Sequence, residues 1–433
     1  MRILTWLSML AVAAPVGEAI AEDRKVPAEY ATINAALDAS VPGDTVSVSP
    51  GTYSDSESRN LPGFGTAVSC AFLQSGVTLR STNGPEVTTL DLLEVGVPHG
   101  RVVVAVGLTI PAAVEGFTIV GAPPGNSGVS LNSNAEILVR NCVLRDLQGG
   151  PDRAGGIAAT YTDLRVEDCL FEDCHASTGG AIDVLFGRIW MVRTVVRGCS
   201  FRAIDLNGTG SVMQGAVIQD CVFENNWASL GAGAIAADDF TPEGVLIERC
   251  RFVGNVTASQ GGGAVALQGW YPKTIRDCVF IDNHSESGYA GALTFGPGPA
   301  TVTGNTFWGN RAAMYGAAVV ISTFGQNTLT NNIIGSSSGA PAVYLSSGSV
   351  AASCNVYWAN EDGDVSGFVL DPTDRTIDPE LCDPENGDLT LQTTSPCLPE
   401  HSDGCGLIGA LGAGCGTVSI TPESWGAIKS HYR

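Results

Sequence analysis

Four carboxylates and a small set of aromatic and imidazole side chains are the residues here whose types and spacing could do chemistry. Asp183 and Asp205 each follow an isoleucine, Ile182 and Ile204, and Asp238 and Asp239 close the run Ile235-Ala236-Ala237. In a strand successive side chains face opposite ways, so an inward Ile182 turns Asp183 outward, and Ile204 does the same for Asp205. If the two segments are neighbours, their carboxylates lie about one strand spacing apart, ~4.8 Å. That is close enough to raise one pKa, to share a calcium ion, or to act as nucleophile and acid of a retaining glycoside hydrolase. Calcium is the one cofactor such a cluster would call for. No Cys-x-x-Cys or His-x-x-x-His spacing marks a transition-metal site. On an acidic surface the same four carboxylates would also serve simply as solvating groups.

A second set could hold a ligand. His175, Trp227, Val256, His284 and Arg311 recur at comparable places along the chain, with Trp270, Tyr271 and Trp308 nearby. Flat apolar faces with a polar tip suit stacking on sugar rings, as they suit packing turn against turn.

The elements that must position these groups are legible as a repeat. A slot filled by Cys142, Cys169, Cys199, Cys221, Cys250, Cys278, Asn305, Asn332 and Cys354 recurs at spacings of 27, 30, 22, 29, 28, 27, 27 and 22 residues, the length of one solenoid turn. Three residues before it stand Val139, Val166, Val196, Ile218, Ile247, Ile275, Val302 and Leu329. Two residues after it stand Leu144, Phe171, Phe201, Phe223, Phe252, Phe280, Phe307 and Ile334. Five residues beyond the slot runs an asparagine column, Asn226, Asn255, Asn283 and Asn310, whose amides can hydrogen-bond from coil to coil. A further strand follows in most turns and opens with small residues, as in Gly179-Gly180-Ala181-Ile182.

Composition agrees. Fifty-four glycines, 7% aromatic and 15% charged residues describe many short strands joined by tight turns. The net charge of −22 argues against nucleic acid and anionic lipid as partners, and makes a polyanionic substrate hard to attract. Arg2 followed by an apolar run and Ala19-Ile20-Ala21 reads as a secretory signal peptide over residues 1–21, too short to span a bilayer. Secretion to the extracellular space or outer cell surface follows as the expectation.

The Gly-Gly-Ala-Ile and Phe-x-x-Asn tetrapeptides, such as Phe252-Val253-Gly254-Asn255 and Phe280-Ile281-Asp282-Asn283, resemble the repeats of polymorphic outer-membrane proteins. More broadly the chain resembles the pectin lyase-like superfamily of right-handed parallel β-helices. The entry segment from Tyr30 to Ala39, followed by Pro42-Gly43-Asp44, is similar to that superfamily's amino-terminal cap and implies a short capping helix. The resemblance thus implies an all-β, right-handed parallel β-helix solenoid over residues 22–360. It is specific for fold and not for activity. The superfamily's lyases use a basic proton abstractor, yet lysine occurs only at Lys25, Lys273 and Lys429. Its galacturonase-like hydrolases carry paired aspartates resembling Asp238-Asp239, but their Asn-Thr-Asp and Gly-His-Gly motifs are missing.

Residues 361–418 change in character and read as a Cys-rich carboxy-terminal cap, with 419–433 as a tail. Cys382, Cys397, Cys405 and Cys415 are expected to be bridged, in a pairing that spacing leaves open. The cysteines of the helix body, Cys354 among them, are expected to be buried thiols. The functional expectation is a monomeric, adhesin-like protein that binds extracellular polysaccharide or a surface protein without catalysis. The alternatives are a polysaccharide lyase or glycoside hydrolase using the carboxylates, and a purely structural surface protein.

Overall fold

The computed structural model describes residues 21–92, 100–151, 153–208, 215–238 and 244–415. Residues 1–20 of the expected leader, the tail 419–433 and Asp239 lie outside these.

Most turns lay down three strands, four of them add a short fourth (Trp227–Ala228, Val256–Thr257, His284–Ser285 and Arg311–Ala312), and successive turns pair in parallel. The coil at Leu164–Glu167 shows the order: Leu164–Glu167 joins a first ladder, Leu170–Glu172 a third, and Ile182–Leu185 a second. The third ladder is a 13-stranded sheet running from Gly51–Tyr53 to Arg375–Thr376. The other two merge into one 23-stranded sheet, because the long strands Val319–Thr330 and Val343–Ser353 run through the corner between them. All-parallel pairing of many short strands gives the right-handed solenoid expected from the repeat.

Alternation decides what lies inside. Val139, Val166, Met191, Ile218, Ile247, Ile275, Val302 and Leu329 stack in register along the first ladder. Facing them, Leu144, Phe171, Val196, Phe223, Phe252, Phe280, Phe307, Ile334 and Tyr357 stack along the third. The rings from Phe223 to Phe307 lie parallel with centroids 4.9, 4.7 and 4.8 Å apart. Offset stacking at that spacing adds dispersion to the burial of each ring.

One coil differs from its expected register. The slot there is Thr194, not Cys199, and the aromatic column passes through Val196 while Phe201 stands exposed. Thr194 can fill it because its hydroxyl accepts from Cys169 N at 3.3 Å and donates to Val192 O at 3.0 Å. At the far end the slot is Asn355, which accepts from Asn332. Cys and Asn interchange at the slot for one reason. The Cys169 thiol reaches the Val139 carbonyl of the preceding coil as the Asn305 amide reaches Ile275. Burial holds the Cys169, Cys221 and Cys278 thiols well above their ordinary pKa, so they remain protonated donors.

Two asparagine ladders run inside the corners. Asn226, Asn255, Asn283 and Asn310 pass amide bonds of 3.0, 2.9 and 3.0 Å from coil to coil, as the spacing predicts. Asn305, Asn332 and Asn355 form another that ends on Asp374.

The amino-terminal end is closed by the short helix Ile33–Asp38, whose first turn is capped by Thr32 Oγ1. The Cys-rich segment lies along the outer face of the third ladder. Its Leu381, Leu389, Leu391, Leu398 and Ile408 pack on Val279, Ile281, Ile333 and Val356. Disulfides join Cys354 to Cys405 and Cys382 to Cys415. This corrects two expectations. Cys397 is a buried free thiol. Cys354 is bonded because it precedes the slot rather than filling it, in a left-handed conformation that turns it out toward the cap.

Candidate functional site: a roofed carboxylate row and exposed aromatic pairs

The carboxylates meet as alternation requires. Asp183 and Asp205 are direct partners on adjacent strands of the second ladder, Ile182–Leu185 and Ile204–Asn207. Asp238 follows the next strand, Ile235–Ala237, and lies close enough to act on Asp205 electrostatically. Their accessibility is another matter. Asp205 is only 2% exposed. Arg202 lies across it, with Nη1 donating to both carboxylate oxygens at 3.1 and 3.0 Å, while Arg202 Nε donates to Leu230 O of the next coil. Sequence reasoning missed Arg202, because its placement depends on Phe201 and Arg202 both taking positive φ, which side chains of this size rarely adopt. Thr178 donates to Asp183 at 3.3 Å.

The ladder's outer face is roofed further on by the turns that lead into it. Ala236 and Ala266, at the positions equivalent to Asp205, are buried with Ala232 in a small apolar cluster. Burial pushes the Asp205 carboxyl up against the opposing pull of Arg202, and the nearby Asp238 pushes it the same way. A carboxyl raised on folding contributes stability at low pH that is lost as pH climbs from the ordinary carboxylate value through the folded one. Asp205→Asn keeps the shape and removes the buried charge. It is expected to flatten the decline above the ordinary carboxylate range, as read by urea unfolding from pH 4 to 7. Among the described residues no three His, Cys, Asp or Glu side chains converge to hold a metal ion.

The imidazole and aromatic residues separate onto three faces. His175, Trp227 and His284 share one continuous column, Gln148, His175, Ser200, Trp227, Val256, His284, Arg311 and Ser338, on the turns between the third and second ladders. His175 Nδ1 and Ser200 Oγ are 2.8 Å apart. Trp227 packs edge-on against Phe201, and His284, whose pKa is lowered by burial and then by the neighbouring Arg311 cation, contacts Arg311. Trp308 is on the third ladder and packs against the carboxy-terminal cap.

Trp270 and Tyr271 stand at another corner, on the turns from the second ladder to the first. Tyr271 packs on the core and offers its carbonyl to the buried Lys273 ammonium, which also bonds Gly269 O and Pro297 O. Trp270 is 64% exposed and stacks on Phe324, itself 72% exposed, with centroids 5.8 Å apart and ring planes 16° from parallel. At the same corner Tyr161, 55% exposed, stacks on Phe186 at 4.9 Å and 21°. Both Tyr161 and Phe186 hold positive φ. Strain of this kind in bulky residues is retained where the conformation has a use. Sequence reasoning missed Phe324, Tyr161 and Phe186; their signal was an aromatic residue recurring in the turn after the second-ladder strand.

A depression of about 380 Å³ between Asp91, Val120, Arg145, Asp146 and Gln148 is lined by none of the residues singled out from the sequence. Elsewhere arginines pair with acids of the adjacent coil, including Arg140 with Glu115, Arg193 with Asp168, Arg197 with Glu172 and Arg249 with Asp220.

No curated protein matches the chain. Among solved structures, the A-module of the mannuronan C-5 epimerase AlgE4 from Azotobacter vinelandii is similar at 14% identity and a TM-score of 0.29, over 80% of this chain and 95% of that one. The family model for the right handed beta helix region matches residues 112–307 and 194–367, together more than half of the sequence. By that match and by its three parallel ladders, the chain belongs to the right-handed β-helix family.

Proposed function

We propose that this is an exported, non-catalytic binder of neutral extracellular polysaccharide. The observation that carries the reading is the pair of stacked aromatic platforms at one corner of the solenoid, Trp270 with Phe324 and Tyr161 with Phe186. Trp270, Phe324 and Tyr161 are each more than half exposed and Phe186 is half-buried beneath Tyr161, so the pairs offer flat faces that the apolar side of a sugar can cover. The net charge of −22 and the cross-coil pairing of arginines leave a polyanion little to bind, which directs the choice to an uncharged chain. Cysteine bridging in the carboxy-terminal segment supports an oxidising compartment. No helix among the described residues is long and apolar enough to cross a membrane.

The in-register pair Asp183 and Asp205 favours a second reading, glycoside hydrolysis. The burial of Asp205 beneath Arg202 weighs against it, since an acid must reach the glycosidic oxygen. Affinity electrophoresis of the mature protein through neutral and anionic polysaccharides tests the proposal. Retardation by a neutral polymer is expected, weakened roughly tenfold by Trp270→Ala. Retardation confined to anionic polymers, or unchanged by that substitution, would overturn it.

A further inference from the structure

Two buried polar side chains interrupt an apolar column beneath the corner that carries Trp270. Leu164, Ile189, Ala216, Val245, Lys273 and Ala300 stack in register at the inward start of the first-ladder strands, and Asn327 follows in the next coil. Lys273 and Asn327 are each 1% exposed. A buried amine or amide is retained where hydrogen bonds replace its water.

The partners of each flank one exposed ring. Lys273 Nζ donates to Gly269 O at 2.7 Å and to Tyr271 O at 3.2 Å, the carbonyls just before and just after Trp270. With both of these carbonyls turned inward, the Trp270 side chain between them is held outward. The remaining donor goes to Pro297 O in the turn of the next coil, so three carbonyls use the three donors of an ammonium. Asn327 serves Phe324 in the same way. Its Oδ1 accepts from Thr323 Oγ1 at 2.9 Å, and its Nδ2 donates to Gly325 O at 3.3 Å, the residues on either side of the ring. The same amide donates to Ser349 O at 2.8 Å and accepts from Ala300 N at 3.0 Å, and Ala300 is the register partner of Lys273. The two rings, two coils apart, are therefore tied through the coil between them.

We propose that Lys273 and Asn327 are positioning residues that hold Trp270 and Phe324 outward as one flat platform, a role that rests on the reading of this corner as the polysaccharide-binding face. Neither side chain touches the sugar; each acts through the turn it bonds. A platform fixed before contact binds more tightly than one that must be ordered on contact, because freezing a loose turn opposes association.

Chymotrypsin, which cuts after accessible aromatic residues, reads the two turns separately, and affinity electrophoresis reads binding. In the mature chain Lys273→Met is expected to open the Trp270–Tyr271 bond first and Asn327→Val the Phe324–Gly325 bond first, while circular dichroism stays that of the parent. Each is expected to weaken retardation by a neutral polysaccharide roughly tenfold, and Lys273→Met to add nothing further in a Trp270→Ala background. A second readout needs no variant. Burial lowers the Lys273 pKa to about 8, with no ion pair among the described residues to oppose it, and Tyr271 is the one other titratable side chain on the turns 268–272 and 296–299 that hold it. A neutral amine has two donors for three carbonyls. Retardation of the parent should therefore weaken from pH 7 to pH 9, and Lys273→Met should lose that dependence. A Trp270–Tyr271 bond as resistant in Lys273→Met as in the parent would refute the proposal, as would local cutting that leaves retardation unchanged. Should the parent bind no neutral polysaccharide, the binding reading fails and the cleavage pattern decides alone: ring-specific first cuts keep the positioning role, and a first cut shared by both variants elsewhere removes it.

Discussion

Replacing Asn255 by alanine is expected to destabilise the protein by roughly 3–5 kcal/mol, several orphaned hydrogen-bonding groups at once. Asn255 is fully buried in the middle of its ladder. Its Oδ1 accepts from Asn226 N at 3.2 Å and from Asn226 Nδ2 at 3.0 Å. Its Nδ2 donates to Phe223 O at 2.9 Å and to Asn283 Oδ1 at 2.9 Å. Alanine strands the two Asn226 donors and the Phe223 carbonyl in a corner where water has no access, while Asn283 Oδ1 keeps the Asn255 N–H. Urea unfolding of Asn255→Ala should show the midpoint fall sharply. Exposed Asn83→Ala, outside both ladders, should change it little. Equal effects at the two positions would mean that the ladder contributes nothing special.

Loss of the Cys354–Cys405 bridge is expected to have the next largest effect. It closes a loop of 51 residues, for which chain entropy alone gives roughly 4 kcal/mol. It also ties the cap to the solenoid beside Asn331, whose side chain donates to the Cys405 and Leu407 carbonyls. In Cys405→Ser the apolar cluster of Leu389, Leu391, Leu398 and Ile408 against Val279, Ile281 and Ile333 must hold the cap with only hydrogen bonds such as those of Asn331 and Thr306 beside it. Limited proteolysis should then cut within residues 377–415 before the solenoid is touched. Cys397→Ser, at a buried free thiol, should leave the bridges intact and lose only packing.

The repeat was legible because its columns are apolar and periodic, and alternation alone placed Asp183 against Asp205. What misled was chemical equivalence at the slot. Cys199-Ser200-Phe201 imitates the Cys-x-Phe spacing of Cys169-Leu170-Phe171, and nothing local distinguishes it from Thr194-Val195-Val196, because threonine, cysteine and asparagine all satisfy the same backbone groups. Moving the slot to Thr194 also brings Cys199 into the column of Cys174 and Asn226, where it donates its backbone N–H to Asn226 Oδ1. The burial of Asp205 was illegible for a different reason. It depends on a turn with two consecutive residues at positive φ that folds Arg202 back over the strand. The disulfide pairing depended on which side of the slot Cys354 occupies, a one-residue question that reverses inside and outside. The Tyr161–Phe186 pair follows directly on the in-register Thr160 and Leu185, whereas the stacking of Trp270 on Phe324 needed a coil-to-coil distance that no linear spacing supplies, since the Gly296–Pro299 turn stands between their coils.

A protein that binds polysaccharide without cleaving it releases no chain ends, so end-group release separates binder from hydrolase. The mature protein would be incubated with the neutral polysaccharide that retards it, with and without calcium, and new reducing and unsaturated ends would be counted over time. No ends above the protein-free rate are expected while binding persists. Ends that accumulate with the parent protein and vanish in Asp205→Ala, with binding retained, would contradict it and make the roofed carboxylate a catalytic acid.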